Sequence, residues 1–433
     1  MGAKSISAVR SSGRRGAISV QLLVLMVPVF FGLMGFAIDL GRLYAARAEL
    51  KAASEAMALA AASVLIGTDA STGNAAETAL RLIETDTGFG NKYDFGALNV
   101  GEANGSLNSE VVEPTFYDNV AAATGEGEST TGTSGEVSGS VARHVRVELV
   151  GETPLTMWRF LALGQEGKVA IRVRSVAGVS APVCTACGIE PIAIAPVDAG
   201  DTTNFGFVVN TRYTLGYICT GAPVPQPLPN STGGRVPYVI LNRLNEEAEV
   251  FPDDLQQIFR NGAQGMVPST NDAIACMRIA AEESIWATAS QLACNVNRVQ
   301  PSITAFLCGM AARMDNSLVQ GCDTIPEVET LNSLYQPDTD LTDLDDYAGY
   351  TGNGRRVLTI PIVETLNPTG TMVVLGFRQF LLEPLQDNSG IAPNDPNGRI
   401  QVLYLGVVMP LKQGRFEASC TATGGPGKVV LHQ

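Results

Sequence analysis

The chain has 433 residues, roughly three times a typical 150-residue domain, so two or three folded units are expected. A hydrophobic share of 45% against 17% charged residues supplies a sizeable core and excludes wholesale disorder. The net charge of −14 is unevenly spread: residues 1–66 hold seven basic and three acidic residues, and the remainder holds 22 basic and 40 acidic, which excludes a phosphate-backbone partner for the body.

The first 16 residues form a basic N-terminus. Between Arg15 and Asp39 lie 23 uncharged residues, Gly16 and then AISVQLLVLMVPVFFGLMGFAI. As a helix this run spans roughly 33 Å, enough for a bilayer core. Pro28, Gly32 and Gly35 weaken a soluble helix but are tolerated inside a membrane. A cleaved signal has an apolar region of only about 7–15 residues, so the run predicts a retained transmembrane helix at 17–38. Four basic residues precede it and three follow within reach, which leans toward a cytoplasmic N-terminus.

The helix is predicted to continue from Asp39 to Ile66. Leu43, Ala46, Leu50, Ala53, Met57, Ala60 and Val64 recur at spacings of three and four, a narrow packing stripe. It packs either on the chain's own globular part or against equivalent helices in an assembly.

These residues resemble the N-terminal segment of TadG-like proteins of the Flp (tight adherence, Tad) pilus system. Arg14-Arg15-Gly16, the apolar helix 17–38, Asp39 to Arg42 and the Ala-rich helix 45–62 correspond to that family's four N-terminal elements. A second stretch, TPLTMWRFLALGQEGKVAIRVRSVAGV, is similar to an apolar turn with aromatic residues followed by a strand of small residues. The resemblance implies a single-pass inner-membrane protein with a periplasmic body. It also implies a non-enzymatic accessory role, no cofactor, and as partners other Tad/Flp assembly proteins, pseudopilins and inner-membrane lipid. Pilin-like members of this system are cut by a prepilin peptidase after a glycine, with a glutamate five residues beyond. Here the corresponding positions are Gly16, Ala17 and Gln21. A secreted or tethered hydrolase and a generic cell-surface binding protein remain the alternatives.

Beyond the helix, Ala75–Thr85 reads as a short helix and residues 124–140 as a flexible Gly/Ser/Thr loop. Alternation at 145–149 and 169–173 predicts two strands, with a helix-like Pro154–Leu163 between them. A long helix followed by an antiparallel sheet suggests a pilin-like unit over 39–182. Residues 183–433 read as a second, disulfide-stabilised α+β domain. Helices are predicted there at Pro252–Arg260 and Asn271–Leu292, and strands at Val236–Leu241, Val357–Val363, Thr371–Leu382 and Ile400–Val408.

Motifs of chemistry are sparse. The sequence holds no P-loop, dinucleotide fingerprint or G-x-S-x-G elbow. Asp198 and Asp201 lack the serine offsets of a von Willebrand A metal site. His144 falls on a predicted strand and His432 in a segment expected to fray. Asp338, Asp340, Asp343, Asp345 and Asp346 offer oxygen ligands for Ca²⁺, but Asp343 and Gly349 stand where an EF-hand needs Gly and Glu, so a solvated loop is the plainer reading. All eight cysteines follow residue 180: Cys184, Cys187, Cys219, Cys276, Cys294, Cys308, Cys322 and Cys420. An even number on one side of a membrane helix suits a disulfide framework. Local spacing suggests Cys276–Cys294 and Cys308–Cys322 among 105 possible pairings. Cys184-Thr-Ala-Cys187 has no second C-x₂-C for zinc and no following helix for a redox site.

Overall fold

A computed structural model describes residues 15–82, 111–125, 137–155, 157, 168–187, 189–190, 192–218, 226–227, 234–242, 276–279, 284–287, 301–314, 349–350, 354–366, 371–383, 391, 395, 398–406, 408–411, 414–416 and 422–432. They fall into two compact units. One draws on residues 1–56, 82–113 and 147–175, the other on 57–81, 114–146 and 176–433.

Helix α1 (Arg15–Ser63) is continuous over 49 residues, roughly 73 Å. Alanine supplies ten of the 18 residues at 45–62, the strongest helix former at the least side-chain bulk. The helix tightens at its end, where Val64 and Leu65 donate backbone N–H groups to Ala61 and Ala62, and Gly67 then turns the chain away at φ 80°. Helix α2 (Ser71–Arg81) begins four residues before the predicted start. It buries Ser71, Ala75 and Ala79 on one side. Helix α3 (Val120–Thr124) is capped by Asn119, whose Oδ1 accepts the Ala122 N–H at 2.8 Å.

The strands are, in chain order, β1 (Val111–Tyr117), β2 (His144–Pro154), β3 (Lys168–Pro182), β4 (Thr185–Cys187), β5 (Ile192–Ile194), β6 (Arg212–Leu215), β7 (Tyr217–Ile218), β8 (Gln226–Pro227), β9 (Arg235–Val236), β10 (Tyr238–Asn242), β11 (Cys276–Arg278) and β12 (Ser284–Ala287). Helix α4 (Pro301–Met314) follows, and then β13 (Val357–Val363), β14 (Thr371–Glu383), β15 (Ile400–Tyr404), β16 (Pro410–Leu411), β17 (Gly414–Arg415) and β18 (Gly427–His432).

A five-stranded sheet has the order β1-β2-β3-β18-β16, with β18 antiparallel to β3 so that Val430 lies opposite Gly178. The second unit is built on a mixed eight-stranded sheet, β12-β10-β5-β13-β14-β15-β6-β9. Every residue of β13 is buried, as in a central strand covered on both faces. Its core joins Ile192, Ile194, Ile360, Ile362, Phe377, Phe380, Val402 and Tyr404 to Phe306, Leu307 and Met310 of α4. A three-stranded sheet, β11-β4-β17, and the pair β7-β8 complete the described strands.

Mixed helix and sheet with a long apolar N-terminal helix agrees with the expected class. Strands β2 and β3 fall where alternation places them, and β13 and β14 fall at their expected positions. Val236–Leu241 is split by Pro237, which has no N–H to give a ladder, into β9 and β10. The expected strand from Ile400 ends at Tyr404, two residues before Gly406 turns at φ 63°. The expected helix Asn271–Leu292 is a correction: β11 and β12 occupy it, because pairing of β11 with β4 and of β12 with β10 and β14 overrides a weak helical period. The predicted helix Pro252–Arg260 and residues 158–163 of the helix-like piece lie outside the described residues. So do residues 126–136 of the Gly/Ser/Thr segment. Its last residues are docked. Val137 is buried, Ser138 Oγ hydrogen-bonds the Asp69 carboxylate, and a Cβ on Gly139 would collide with the Thr68 carbonyl.

Candidate membrane anchor and the residues that brace it

Helix α1 changes character along its length. From Val20 to Ile38 its large apolar side chains face outward; Leu25 is 71% and Phe31 69% exposed. In water such a surface carries a large hydrophobic penalty, so it calls for an apolar surround. Among the described residues this is one helix long and apolar enough to cross a membrane. Past Asp39 the burial reverses: Ala46, Leu50, Ala53 and Met57 are at most 2% exposed. The alanine stripe therefore packs on the chain itself, and its small side chains allow that close approach.

Two sets of contacts brace α1 within the first unit. At the end of the apolar run, Gly35 and Asp39 lie one turn apart and both are buried. A Cβ on Gly35 would stand 2.8 Å from Met157 Cβ, so only glycine admits that neighbour. The Asp39 carboxylate accepts the Met157 N–H at 3.0 and 3.3 Å. Hydrogen bonding to the charged form offsets the cost of burying this carboxylate. Three turns on, Lys51 Nζ donates to the Arg174 carbonyl at 2.7 Å and to Ser175 Oγ at 3.1 Å, and the Ser54 and Ser175 hydroxyls hydrogen-bond each other. The sequence shows Gly35 and Asp39 as a breaker and a boundary charge. Their joint role needs Met157, which no spacing rule connects to them.

The other sequence candidates are scattered. Gly16 and Ala17 lie in the first turn of α1, and Gln21 is exposed on it. Cys184 and Cys308 are buried at 3% and 2% exposure. Cys187 and Cys276 occupy directly opposed positions of β4 and β11. Cys219, Cys294, Cys322, Cys420 and the acidic run with Asp338, Asp340, Asp343, Asp345 and Asp346 lie outside the described residues. Among the described residues no group of three or more His, Cys, Asp or Glu is placed to hold a metal. Asp201 accepts backbone N–H groups from Thr203, Asn204 and Gly206, which pull its pKa down, so it shapes a turn.

His432 is not in a frayed segment but on β18, its ring 5.0 Å from that of His144 and edge-on at 73°. Burial, then His432 and Arg143, lower the His144 pKa from 6.5 to about 4, against an opposing pull from Asp118. In the second unit Arg313 Nη2 of α4 donates to both Glu190 carboxylate oxygens at 2.8 and 2.9 Å, and both side chains are wholly buried. These groups tie elements together, and sequence reading missed them because their partners are distant in the chain.

Set beside known families, residues 16–64 match the family model described as Flp pilus-assembly TadE/G-like. The matched segment coincides with α1, from its first turn to its last. No curated protein and no solved structure matches the chain.

Proposed function

We propose that this protein is a membrane-anchored, non-enzymatic accessory component of Flp/Tad pilus assembly, working with other assembly proteins of that system. The observation that carries this reading is the coincidence of the TadE/G-like match with a single helix that exposes its apolar half and buries its alanine-rich half. The first half suits lipid; the second fastens the anchor to the body. Deleting the gene from its host should abolish or strongly reduce surface pili, and the protein should stay with carbonate-washed membranes. Normal piliation in the deletion strain would overturn the assembly role. Recovery in the soluble fraction would overturn the anchor.

The topology proposed with it puts Arg14 and Arg15 on the cytoplasmic side and the body, with all eight cysteines, in the oxidising periplasm. Opposed residues of an antiparallel pair have Cα atoms about 4.5–5.5 Å apart, inside the disulfide range. The register of β4 and β11 therefore favours Cys187–Cys276 over the local pair Cys276–Cys294. Cys184 lies three residues before Cys187 at the head of an extended strand, a distance of roughly 10 Å that a disulfide cannot span. A membrane-impermeant thiol label applied to reduced spheroplasts should modify the cysteines; labelling only after lysis would reverse the topology.

A further inference from the structure

Just beyond the apolar run, α1 and β3 line an open cleft of about 380 Å³, within the roughly 300–1,000 Å³ typical of small-ligand sites. Its wall is apolar at Leu40, Leu43 and Ile171, aromatic at Tyr44, and cationic at Arg47 and Arg172. Both arginines are exposed, and among the described residues neither has a hydrogen-bond or ion-pair partner. Two unpaired guanidiniums on one small cleft are unusual in a chain whose residues 67–433 carry 40 acidic and 22 basic groups. They invite an anion, and guanidinium forks match phosphate oxygens in geometry as well as charge.

The position of the cleft narrows the anion further. Leu40 to Arg47 takes up about 12 Å of helix immediately after Asp39. The headgroup layer on each side of a bilayer is about 5–8 Å deep, and an arginine stem can reach back across the difference. Leu40, Leu43, Tyr44 and Arg47 share one helical face, and that face continues toward the apolar run as Phe36, Leu33 and Val29, which are 50%, 61% and 55% exposed. A lipid seated there would place its phosphate between the arginines and its acyl chain along this apolar track.

Resting on the membrane-anchor reading above, we propose that the α1–β3 cleft is a binding site for the headgroup of an anionic phospholipid, held by Arg47 and Arg172. The test uses the full chain reconstituted in vesicles of phosphatidylcholine alone or mixed equally with phosphatidylglycerol. Flotation reports insertion, and native mass spectrometry after mild extraction reports which lipid stays bound. The wild-type protein should float with both vesicles and retain phosphatidylglycerol over phosphatidylcholine on the order of tenfold. Arg47→Gln with Arg172→Gln should float equally well and lose that preference. The Lys double variant should restore part of it, and Arg235→Gln, an exposed charge in the other unit, should keep it whole. Flotation without any preference, or an unchanged preference in the Gln double variant, would overturn the lipid site and leave the anchor standing. Failure to float with either vesicle would overturn both.

Discussion

The two histidines of the chain meet each other, on β2 and β18, and their titration is coupled to folding. His144 Nδ1 and His432 Nε2 are buried without a hydrogen-bond partner among the described residues, so a charge there is poorly solvated. Burial lowers both pKa values below 6.5, that of His144 to about 4 with help from His432 and Arg143. Between about pH 6.5 and 4 the unfolded chain then binds more protons than the folded one. The neutral pair's contribution is complete above pH 6.5 and is lost as the pH falls toward 4, at no more than about 1.4 kcal/mol per pH unit for His144 and by less for the more exposed, solvent-screened His432. Urea unfolding at pH 7.5, 6.0 and 4.5 should show this slope, and His144→Leu should flatten it beyond what carboxylate titration leaves. An equal slope in the variant would remove the histidines from the account. Gly178 is part of the same arrangement, since a Cβ there would lie 2.0 Å from His144 Nδ1. The strand under His144 is legible from the alternation of Val145, Val147 and Leu149. Its contact with His432 is a long-range pairing that local pattern does not encode.

At the scale of elements, α1 predicts opposite responses to the same kind of substitution along its length. Ala53 is 1% exposed, so Ala53→Leu forces extra methylenes into a closed interface and should cost about 1–3 kcal/mol. Val24, 65% exposed, should accept leucine with no measurable loss. Thermal unfolding in detergent checks both, and equal midpoints for the two variants would mean that the buried half of α1 is not closely packed. This two-part character was visible in the sequence because charge stops at Arg15 and resumes at Asp39. Elements with one exposed and one buried face were likewise legible. Wholly buried β13 was legible too, as a short apolar and β-branched run, but the buried helix α4 was not. In α4 all of residues 306–314 are buried, so no amphipathic period marks it, and the Pro301 start signal stands alone. Pro114 disguises β1, and β5 has three residues, too few for alternation to register.

At the scale of the whole molecule, the distinction between an anchored accessory protein and a filament subunit turns on Gln21. In the pilin-like members of the Flp system the residue five beyond the cut is a glutamate, whose charge inside the membrane needs the terminal amine of a neighbouring subunit as its partner. Glutamine keeps the shape and the hydrogen-bonding capacity but offers no charge for that pair. The Gly16–Ala17 bond lies in the first turn of α1, where helix ends fray, so helical structure alone does not protect it from a peptidase. On the proposed accessory reading, the missing charge would set this chain apart from a subunit, together with burial of the alanine face of α1 within the chain, which leaves less of it for neighbours. The protein in its native membrane should accordingly keep the residues before Ala17, with Arg14 and Arg15 at the proposed cytoplasmic face. N-terminal sequencing of the purified membrane form measures this directly. A dominant species beginning at Ala17 would overturn the accessory reading in favour of a processed subunit, with the apolar helix still in place. Gln21→Glu should raise cleavage or entry into pili only in a chain that the peptidase already recognises. A Gln21→Glu variant that is cleaved yet stays out of the filament would place the barrier in the body; one that stays intact would show that the peptidase does not recognise the site.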